Sequence, residues 1–448
     1  MTGERVSFGE ALRFWWKLGF VSFGGPAGQI AIMHRELVER RRWISERRFL
    51  HALNYCMVLP GPEAQQLATY IGWLLHGTRG GITAGALFVL PSLFILVALS
   101  WIYVRFGQVP AVAAVLYGVK PAVVAIVLAA AWRIGSRTLR HPLLWAIAAA
   151  AFVALFALHV PFPVVILAAA LVGAIGGRIA PSVFFAPPHA RAAAHAALAL
   201  IDDDTPTPAH ARYSARGMAL VVGAFVGGWA VALGALAFAF GWRSDPTQMA
   251  WFFTQVALLS FGGAYAALPF VIQGAVENYG WLAAPQMIDG LALGESTPGP
   301  LIMIVAFVGF VGGWLRPVFG AEASFLSGAL GATIATFFTF LPSFLFILAG
   351  GPLVERTRDD VKLAAPLTAI TAAVVGVIVN LVVFFAWHVF WPDASPSHPF
   401  ESMDPVSVAI AAVCAAALLS KRLDVIPVIL ASGLAGLGLW AAGLQRAL

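Results

Sequence analysis

The sequence is poor in charge. Lys, Arg, Asp and Glu make up 11% of its 448 residues, against about 25% in a soluble globular chain. It is poor in cysteine too, with only Cys56 and Cys414, both in apolar surroundings. No disulfide framework follows, no CxxC or HExxH motif offers a metal site, and no cofactor is expected. A Walker A motif is absent, so ATP hydrolysis by this chain is not expected. What fills the sequence is apolar: 60% of residues are hydrophobic, above the soluble average of about 45–50%. Such a chain cannot hide its apolar surface in one soluble core. It reads as an all-α integral membrane protein, which excludes a cytoplasmic enzyme and a secreted disulfide scaffold.

The net charge is +6, from 27 Lys+Arg against 21 Asp+Glu. A basic balance can signal nucleic acid. Here the Arg residues fall in breaks between apolar runs, where the positive-inside rule accounts for them, so no nucleic-acid partner is expected. The first apolar stretch is preceded by Glu4, Arg5, Glu10 and Arg13 and followed by no small-residue cleavage site. It is expected to be retained.

The chain repeats itself. Ser22-Phe23-Gly24-Gly25 recurs as Ser260-Phe261-Gly262-Gly263, 238 residues on. The same offset maps Trp43 onto Trp281 and Pro60-Gly61-Pro62 onto Pro298-Gly299-Pro300. Pro91-Ser92 matches Pro342-Ser343 at an offset of 251, so the second copy has gained 13 residues. The expected organisation is a first repeat (1–180), a hydrophilic linker (181–216), an unpaired extra span (217–241) and a second repeat (242–448). The linker carries Pro187-Pro188, Asp202-Asp203-Asp204 and Thr205-Pro206-Thr207-Pro208. It reads as a solvated connector, with a candidate short helix over 190–200.

The two copies carry opposite loops. Residues 34–51 include Arg35, Arg40, Arg41, Arg42, Arg47 and Arg48, whereas the matching 272–289 has no Lys or Arg. By the positive-inside rule the first is cytoplasmic and the second is not, as in an inverted repeat. Arg133, Arg137 and Arg140 mark another cytoplasmic turn, as do Arg356 to Lys362 and Lys421-Arg422; residues 391–404 should be external. These assignments agree only if 8–33, 49–75, 246–271 and 287–313 each enter and leave on one side. Each is broken near its middle by Gly-Gly or Pro-Gly-Pro. Arms of about 11–13 residues reach only about 16–20 Å, part way through a hydrocarbon core of about 30 Å. Broken, re-entrant helices are one reading; full-length helices kinked at proline are the other. The remaining spans are expected at 82–104, 110–132, 142–158, 162–180, 217–241, 323–350, 365–387, 405–420 and 424–444.

At these residues the chain resembles a known family. Ser-Phe-Gly-Gly-Pro (22–26), the Arg-rich stretch ending in Arg42-Trp43, Leu-Pro-Gly-Pro-Glu (59–63) and Thr-Pro-Gly-Pro (297–300) resemble the chromate ion transporter family in its long two-domain form. The resemblance implies a multi-pass protein of the bacterial inner (plasma) membrane that exports chromate and confers chromate resistance. It also implies sulfate as a chemical mimic and a proton gradient as the drive.

A tetrahedral dianion needs hydrogen-bond donors and positive potential, and helix N-termini supply both. A helix restarting after Pro-Gly-Pro points such an end into the membrane. Gly61 and Gly299 would let backbone approach an oxyanion, and Gly24, Gly25, Gly262 and Gly263 offer two further breaks. Ser22, Ser260, Ser296 and Thr297 stand beside the breaks as candidate ligands, or as hydroxyls bonded locally to backbone. Gln29, Gln65 and Gln66 are candidate ligand-side or pore-lining groups; the positions matching Gln65 and Gln66 are Met303 and Ile304, so the site would be asymmetric. Glu63 and Glu295 flank the two Pro-Gly-Pro motifs. Carboxylates at membrane depth are costly, and these are candidates for carrying the coupled proton or for capping a helix end. Lys120 could neutralise part of a dianion's charge or snorkel to the headgroups from a helix beginning at Pro121. Arg35 could gather anions at the cytoplasmic mouth, while the rest of the Arg cluster sets topology and meets lipid headgroups. The tryptophans, Trp15, Trp43, Trp281 and Trp391 among them, read mostly as interface anchors.

The expected function is therefore secondary transport of an oxyanion, with export of chromate on the strength of the resemblance. Uptake of sulfate or another oxyanion is the alternative within the class. A membrane-embedded enzyme on a lipid-linked substrate would need an acid–base or metal constellation that the sequence does not display. Chromate, sulfate, protons and membrane lipid are the expected partners; the oligomeric state, a homo-oligomer included, stays open.

Overall fold

The computed structural model describes residues 6–23, 25–184, 199–202, 205, 208–261, 263–356, 364–392, 403–420 and 422–444. Among these residues it is all-helical, with one isolated bridge between Ile44 and Ile201. The first half runs α1 (Phe8–Val21), α2 (Gly25–His34), a π-helical turn (Arg35–Arg40), α3 (Glu46–Val58), α4 (Glu63–Phe106), α5 (Pro110–Thr138), α6 (Pro142–Phe156) and α7 (Phe162–Ile179). Then come a short α8 (Pro181–Phe184) and α9 (Ala215–Phe240). The second half runs α10 (Asp245–Leu259), α11 (Ala264–Ile272), a π-helical turn (Gln273–Asn278), α12 (Ala284–Ser296), a 3-10 turn (Leu301–Met303), α13 (Ile304–Leu315), α14 (Ser324–Arg356), α15 (Ala364–Phe390), α16 (Pro405–Leu419) and α17 (Val425–Ala441). Among the described residues six helices are long and apolar enough to cross a membrane: α4, α5, α7, α9, α14 and α15. The chain has the make-up of a multi-pass membrane protein. The candidate helix over 190–200 falls largely outside the described residues.

Local backbone geometry recurs at the 238-residue offset. The π-helical turns stand at equivalent positions, as do α3 and α12. Arg41 N donates to Glu36 O and Trp43 N to Leu37 O in the first half; Tyr279 N to Gly274 O and Trp281 N to Ala275 O are the matching bonds in the second. α4 is two helices in one assignment, with His76 and Gly77 (φ +66°) non-helical. Its first arm corresponds to α13 and its second to α14.

Within each half, the outer ends of the broken elements meet. Arg41 pairs with Glu10 of α1 at 3.3 Å, and His76 at the end of the first arm of α4 bonds to Val6 O at 2.9 Å. In the second half Asp245 of α10 accepts from Trp281 Nε1 at 2.8 Å and pairs with Arg316 at 3.3 Å, while Arg316 also donates to Gly280 O. The start of each half's first helix thus sits beside the end of its second helix and the end of its fourth arm.

Beyond these elements the halves pack crosswise. α5 lies against α16 and α17, and α15 lies against α6 and α7. Small residues allow the close approach: a Cβ on Gly118 of α5 would run into Ser432 and Gly436 of α17, and one on Gly173 of α7 into Ala365, Pro366 and Ala369 of α15. α9 packs on α14 and α10 along one side and is bare on the other, with Phe238 95% exposed; an apolar face so bare is suited to lipid.

Two expectations need correction. The linker is not simply a solvated connector. Leu200 N and Ile201 N donate to Arg42 O and Trp43 O, Ser45 N donates back to Ile201 O, and His210 bonds to Trp73 O. Ile201 and Ala211 are buried because they close over the apolar base of α3 and α4. Nor are Trp15, Trp43 and Trp281 interface anchors. All three are buried, because ring-on-ring packing closes the outer ends of each half: Trp43 against Phe14, and Trp281 stacked on Tyr279 and Phe253.

Candidate functional site

The inner ends of the broken elements are tips, and the tips of opposite halves touch. α1 ends before Ser22, ahead of the Gly-Gly pair, and α3 before Leu59, where Pro-Gly-Pro interrupts the helix. Gly61 N then donates to Ser260 O at 3.0 Å, and Gly299 N donates to Ser22 O at 2.8 Å. Each bond is the other's equivalent at the 238-residue offset. Gly61 (φ +118°) and Gly299 (φ +104°) adopt backbone that favours glycine. A Cβ on Gly61 would lie 2.5 Å from Ser343 Oγ, and one on Gly299 2.7 Å from Ser92 Cβ. Each Pro-Gly-Pro is therefore seated on the Pro-Ser step of the other half.

Restarting helices leave unpaired N–H groups at these tips. α2, α4 and α11 begin there, as does the 3-10 turn that leads into α13. Gly25 (φ +68°) and Gly263 (φ +92°) form the turns into α2 and α11; Gly24 and Gly262 lie outside the described residues. The N-terminal ends of α4 and α11 are close neighbours, since a Cβ on Gly263 would lie 3.7 Å from Glu63 Oε1.

Three buried glutamines stand at the tips, and two of them tie the halves together. Gln29 Nε2 donates to Gly299 O (2.5 Å) across the halves and to Ser22 O (3.2 Å) within its own half. Gln66 Nε2 donates to Pro60 O (2.7 Å) and lies 3.4 Å from Ser343 Oγ, again across the halves. Gln65 Nε2 donates to Thr69 Oγ1 at 3.1 Å on its own helix. The Oε1 atoms of all three, and Ser92 Oγ, are buried without a partner. The bonding fixes the amide orientation of Gln29 and Gln66, since their NH₂ groups face backbone carbonyls.

The hydroxyls behave differently. Ser22 donates to Leu18 O, Ser260 to Ala257 O, Ser296 to Leu293 O and Thr297 to Gly294 O, at 2.6–3.0 Å. Their protons are engaged by the helix one turn back, the local-bonding alternative.

Of the carboxylates, Glu63 is the first residue of α4, where the helix dipole favours negative charge. Glu295, at the end of α12, is buried and accepts from Tyr265 OH at 2.5 Å. Arg35 is exposed on the π-helical turn beyond α2, at the outer end and away from the tips. Lys120 does not simply snorkel: its Nζ lies 3.7 Å from Asp289 Oδ2, which also accepts from Tyr103 OH at 3.0 Å. Sequence reading missed Asp289, because 272–289 was examined for its lack of Lys and Arg. The available signal was complementarity: one lone acid and one lone lysine, each flanked by apolar residues. Among the described residues no cluster of His, Cys, Asp and Glu could hold a metal ion.

Known proteins supply an independent comparison. The profile of the family described as chromate transporter matches residues 9–174 and 247–437. A chromate transport protein of Pseudomonas aeruginosa is 34% identical over 432 residues, covering 96% of this chain and 92% of its own. One from Cupriavidus metallidurans is 29% identical over 392 residues, covering 86% and 84%. An uncharacterized transporter of Methanocaldococcus jannaschii is 26% identical over 378 residues, covering 84% and 83%. No solved structure gives a significant match.

Proposed function

The chain belongs to the chromate transporter family, and from that premise we propose that it is a secondary transporter carrying chromate out of the cytoplasm across the bacterial inner membrane, driven by the proton-motive force. Residues 1–180 and 242–448 act as two repeats of opposite orientation, joined by the linker (181–216) and the extra span (217–241). α1–α2, α3 with the first arm of α4, α10–α11 and α12–α13 are re-entrant hairpins. The meeting of their outer ends within each half supports this reading.

The observation that carries the proposal is the reciprocal pair Gly61 N to Ser260 O and Gly299 N to Ser22 O. It brings restarting helix ends from both halves to one place, where their free N–H groups and dipoles favour an oxyanion. Transporters with inverted repeats bind substrate at such a junction near the midplane. Gln29, Gln65 and Gln66 line the junction beside these ends, and Glu63 and Glu295 are the proton carriers beside them. A protonated carboxyl can donate to the anion, whereas an ionised one repels it. Arg35 and its neighbours gather anions at the cytoplasmic mouth. The electrical part of the force is considerable: a dianion leaving a negative-inside cell gains about 4.6 kcal/mol per 100 mV, from about 2.3 kcal/mol per charge. Sulfate, of similar size and the same charge, is expected to compete.

The test is uptake of labelled chromate into inverted membrane vesicles, with and without an imposed proton gradient and with excess sulfate. Gradient-dependent uptake that sulfate reduces is the expected result. Uptake no greater than in vesicles lacking the protein would remove chromate as the substrate.

A further inference from the structure

Lys120, Asp289 and Tyr103 come from three separate elements: α5, α12 and the second arm of α4. They meet away from the tips. Asp289 precedes Ser296 by seven residues, or about 10 Å along a helix at about 1.5 Å per residue. This is the side where Tyr117 of α5 bonds to Asp404 at 2.6 Å, in the stretch whose lack of Lys and Arg marks it as external. The cluster therefore lies on the way from the tips to the outer surface.

Its geometry is incomplete in an informative way. The Lys120 Nζ to Asp289 Oδ2 separation of 3.7 Å is an ion pair but not a hydrogen bond. Tyr103 occupies the same oxygen. Asp289 Oδ1 is buried with no partner, in a residue 4% exposed; a buried acceptor left empty is costly. The Lys120 side chain is 31% exposed, so a guest can reach it. Among the described residues the groups that meet Asp289 are Lys120 and Tyr103; α5 also carries Arg133 and Arg137, and α4 also carries Glu63, Tyr70, His76, Arg79 and Arg105. Of the elements packed against α12, α13, α17 and the 3-10 turn carry no ionisable side chain. α15 carries only His388, which bonds to Phe384 O. On α12 itself, Glu295 is engaged by Tyr265.

We propose that this cluster is a second anion station of the transport path, in which Lys120 is shared between the Asp289 carboxylate and the passing oxyanion. The inference rests on the reading of the chain as an oxyanion transporter. A dianion and an ionised Asp289 cannot both occupy one ammonium group cheaply in a buried site. When Asp289 takes a proton from water at Oδ1, its claim on Lys120 ends and the oxyanion takes its place. When the oxyanion leaves, Asp289 returns the proton to water and pairs with Lys120 again. Proton uptake and anion binding thus favour each other at this station, and by linkage each strengthens the other equally. The proton comes from and returns to water on the external side, so the exchange at this station moves no proton across the membrane.

The test is chromate binding to the purified full chain, followed from pH 5 to 8 in the wild type, Asp289→Asn, Lys120→Gln, Lys120→Arg and Lys120→Gln/Asp289→Asn. Chromate's own protonation is common to all variants and cancels in the comparison. The wild type is expected to tighten as pH falls beyond that common effect. Asp289→Asn should bind at low-pH strength throughout. Lys120→Gln should weaken binding about tenfold or more, as loss of a charge-assisted contact does. Lys120→Arg should retain it, and the double variant should stay weak. Tyr103→Phe, which removes only a hydroxyl, should move the pH midpoint and leave the low-pH affinity unchanged, a readout that survives if Asp289→Asn does not fold. Recovery of wild-type binding and pH dependence in the double variant would reduce the cluster to a structural ion pair. So would a pH profile unaltered in both Asp289→Asn and Tyr103→Phe. If the wild type binds no chromate at any pH, it is the transport reading that fails.

Discussion

The backbone N–H of Gly61 donates to the carbonyl oxygen of Ser260 at 3.0 Å, joining the Pro-Gly-Pro of one half to the helix tip of the other. Its equivalent, Gly299 to Ser22, closes the arrangement from the opposite direction. Neither half can form the junction alone. The duplication is thus part of the site, which uses one tip from each repeat twice over.

Gly61→Ala tests the tightness of that junction. The new methyl group would meet Ser343 Oγ and Gln66 Nε2 while the backbone holds a positive φ. The expected loss is more than about 1 kcal/mol, since alanine at positive φ is destabilising beyond the entropic gain. It should appear as a lower unfolding temperature in detergent and as reduced chromate uptake. Gly25→Ala, where a Cβ meets nothing within 4 Å, should lower the unfolding temperature less.

Gln29→Leu removes the amide that bridges Gly299 O and Ser22 O. Ser22 O keeps the Gly299 N–H, but leaving the buried Gly299 carbonyl unpaired costs about 1–3 kcal/mol. Chromate uptake should fall sharply, while Gln65→Leu, which loses a bond within one helix, should leave stability nearer the wild type. Thermal unfolding and vesicle uptake measured together check both halves of the statement.

Glu63→Gln keeps the shape of the side chain but cannot release a proton. Glu63 stands between the starts of α4 and α11, so the substitution should preserve protein level and chromate binding while uptake loses its dependence on an imposed pH difference. Uptake of Glu63→Gln measured at fixed membrane potential, with the pH difference varied, isolates this effect.

Arg48→Ala addresses the cytoplasmic base. The Arg48 side chain is buried, donates to Thr205 O at 2.9 Å and lies 3.9 Å from Glu355, which accepts from Tyr70. Removing one member of a buried pair costs about 3–5 kcal/mol. The variant should unfold at lower temperature, and trypsin should cut faster near Arg212 and Arg216 in inverted vesicles. Digestion at the wild-type rate would count against a docked linker.

Much of this was legible in the sequence because the breaks are written in glycine and proline. Pro-Gly-Pro limits a helix whatever surrounds it, and the unbroken 238-residue register from Ser22 to Pro62 anticipated equivalent bounds for α3 and α12. Partner choice was not legible. Trp43 reads as an anchor by type, but its burial depends on Phe14 arriving from α1. Asp289 becomes conspicuous only when α5 brings Lys120 beside it. For Ser22 and Ser260 the sequence left ligand and local backbone bonding both open, and each hydroxyl donates to its own preceding turn. Such facts belong to the packing between elements, which a single sequence does not carry.

The central claim is that tips from both halves build one anion site. Equilibrium binding of labelled chromate to the purified chain tests it most directly, with the wild type compared with Gly61→Ala and Gly299→Ala in preparations whose folded fraction is measured by thermal unfolding. The account predicts that chromate held at the tips, and displaced by sulfate, is lost in either variant alone, because each glycine completes the same junction. Two tip sites, each lost with only its own glycine, would contradict it.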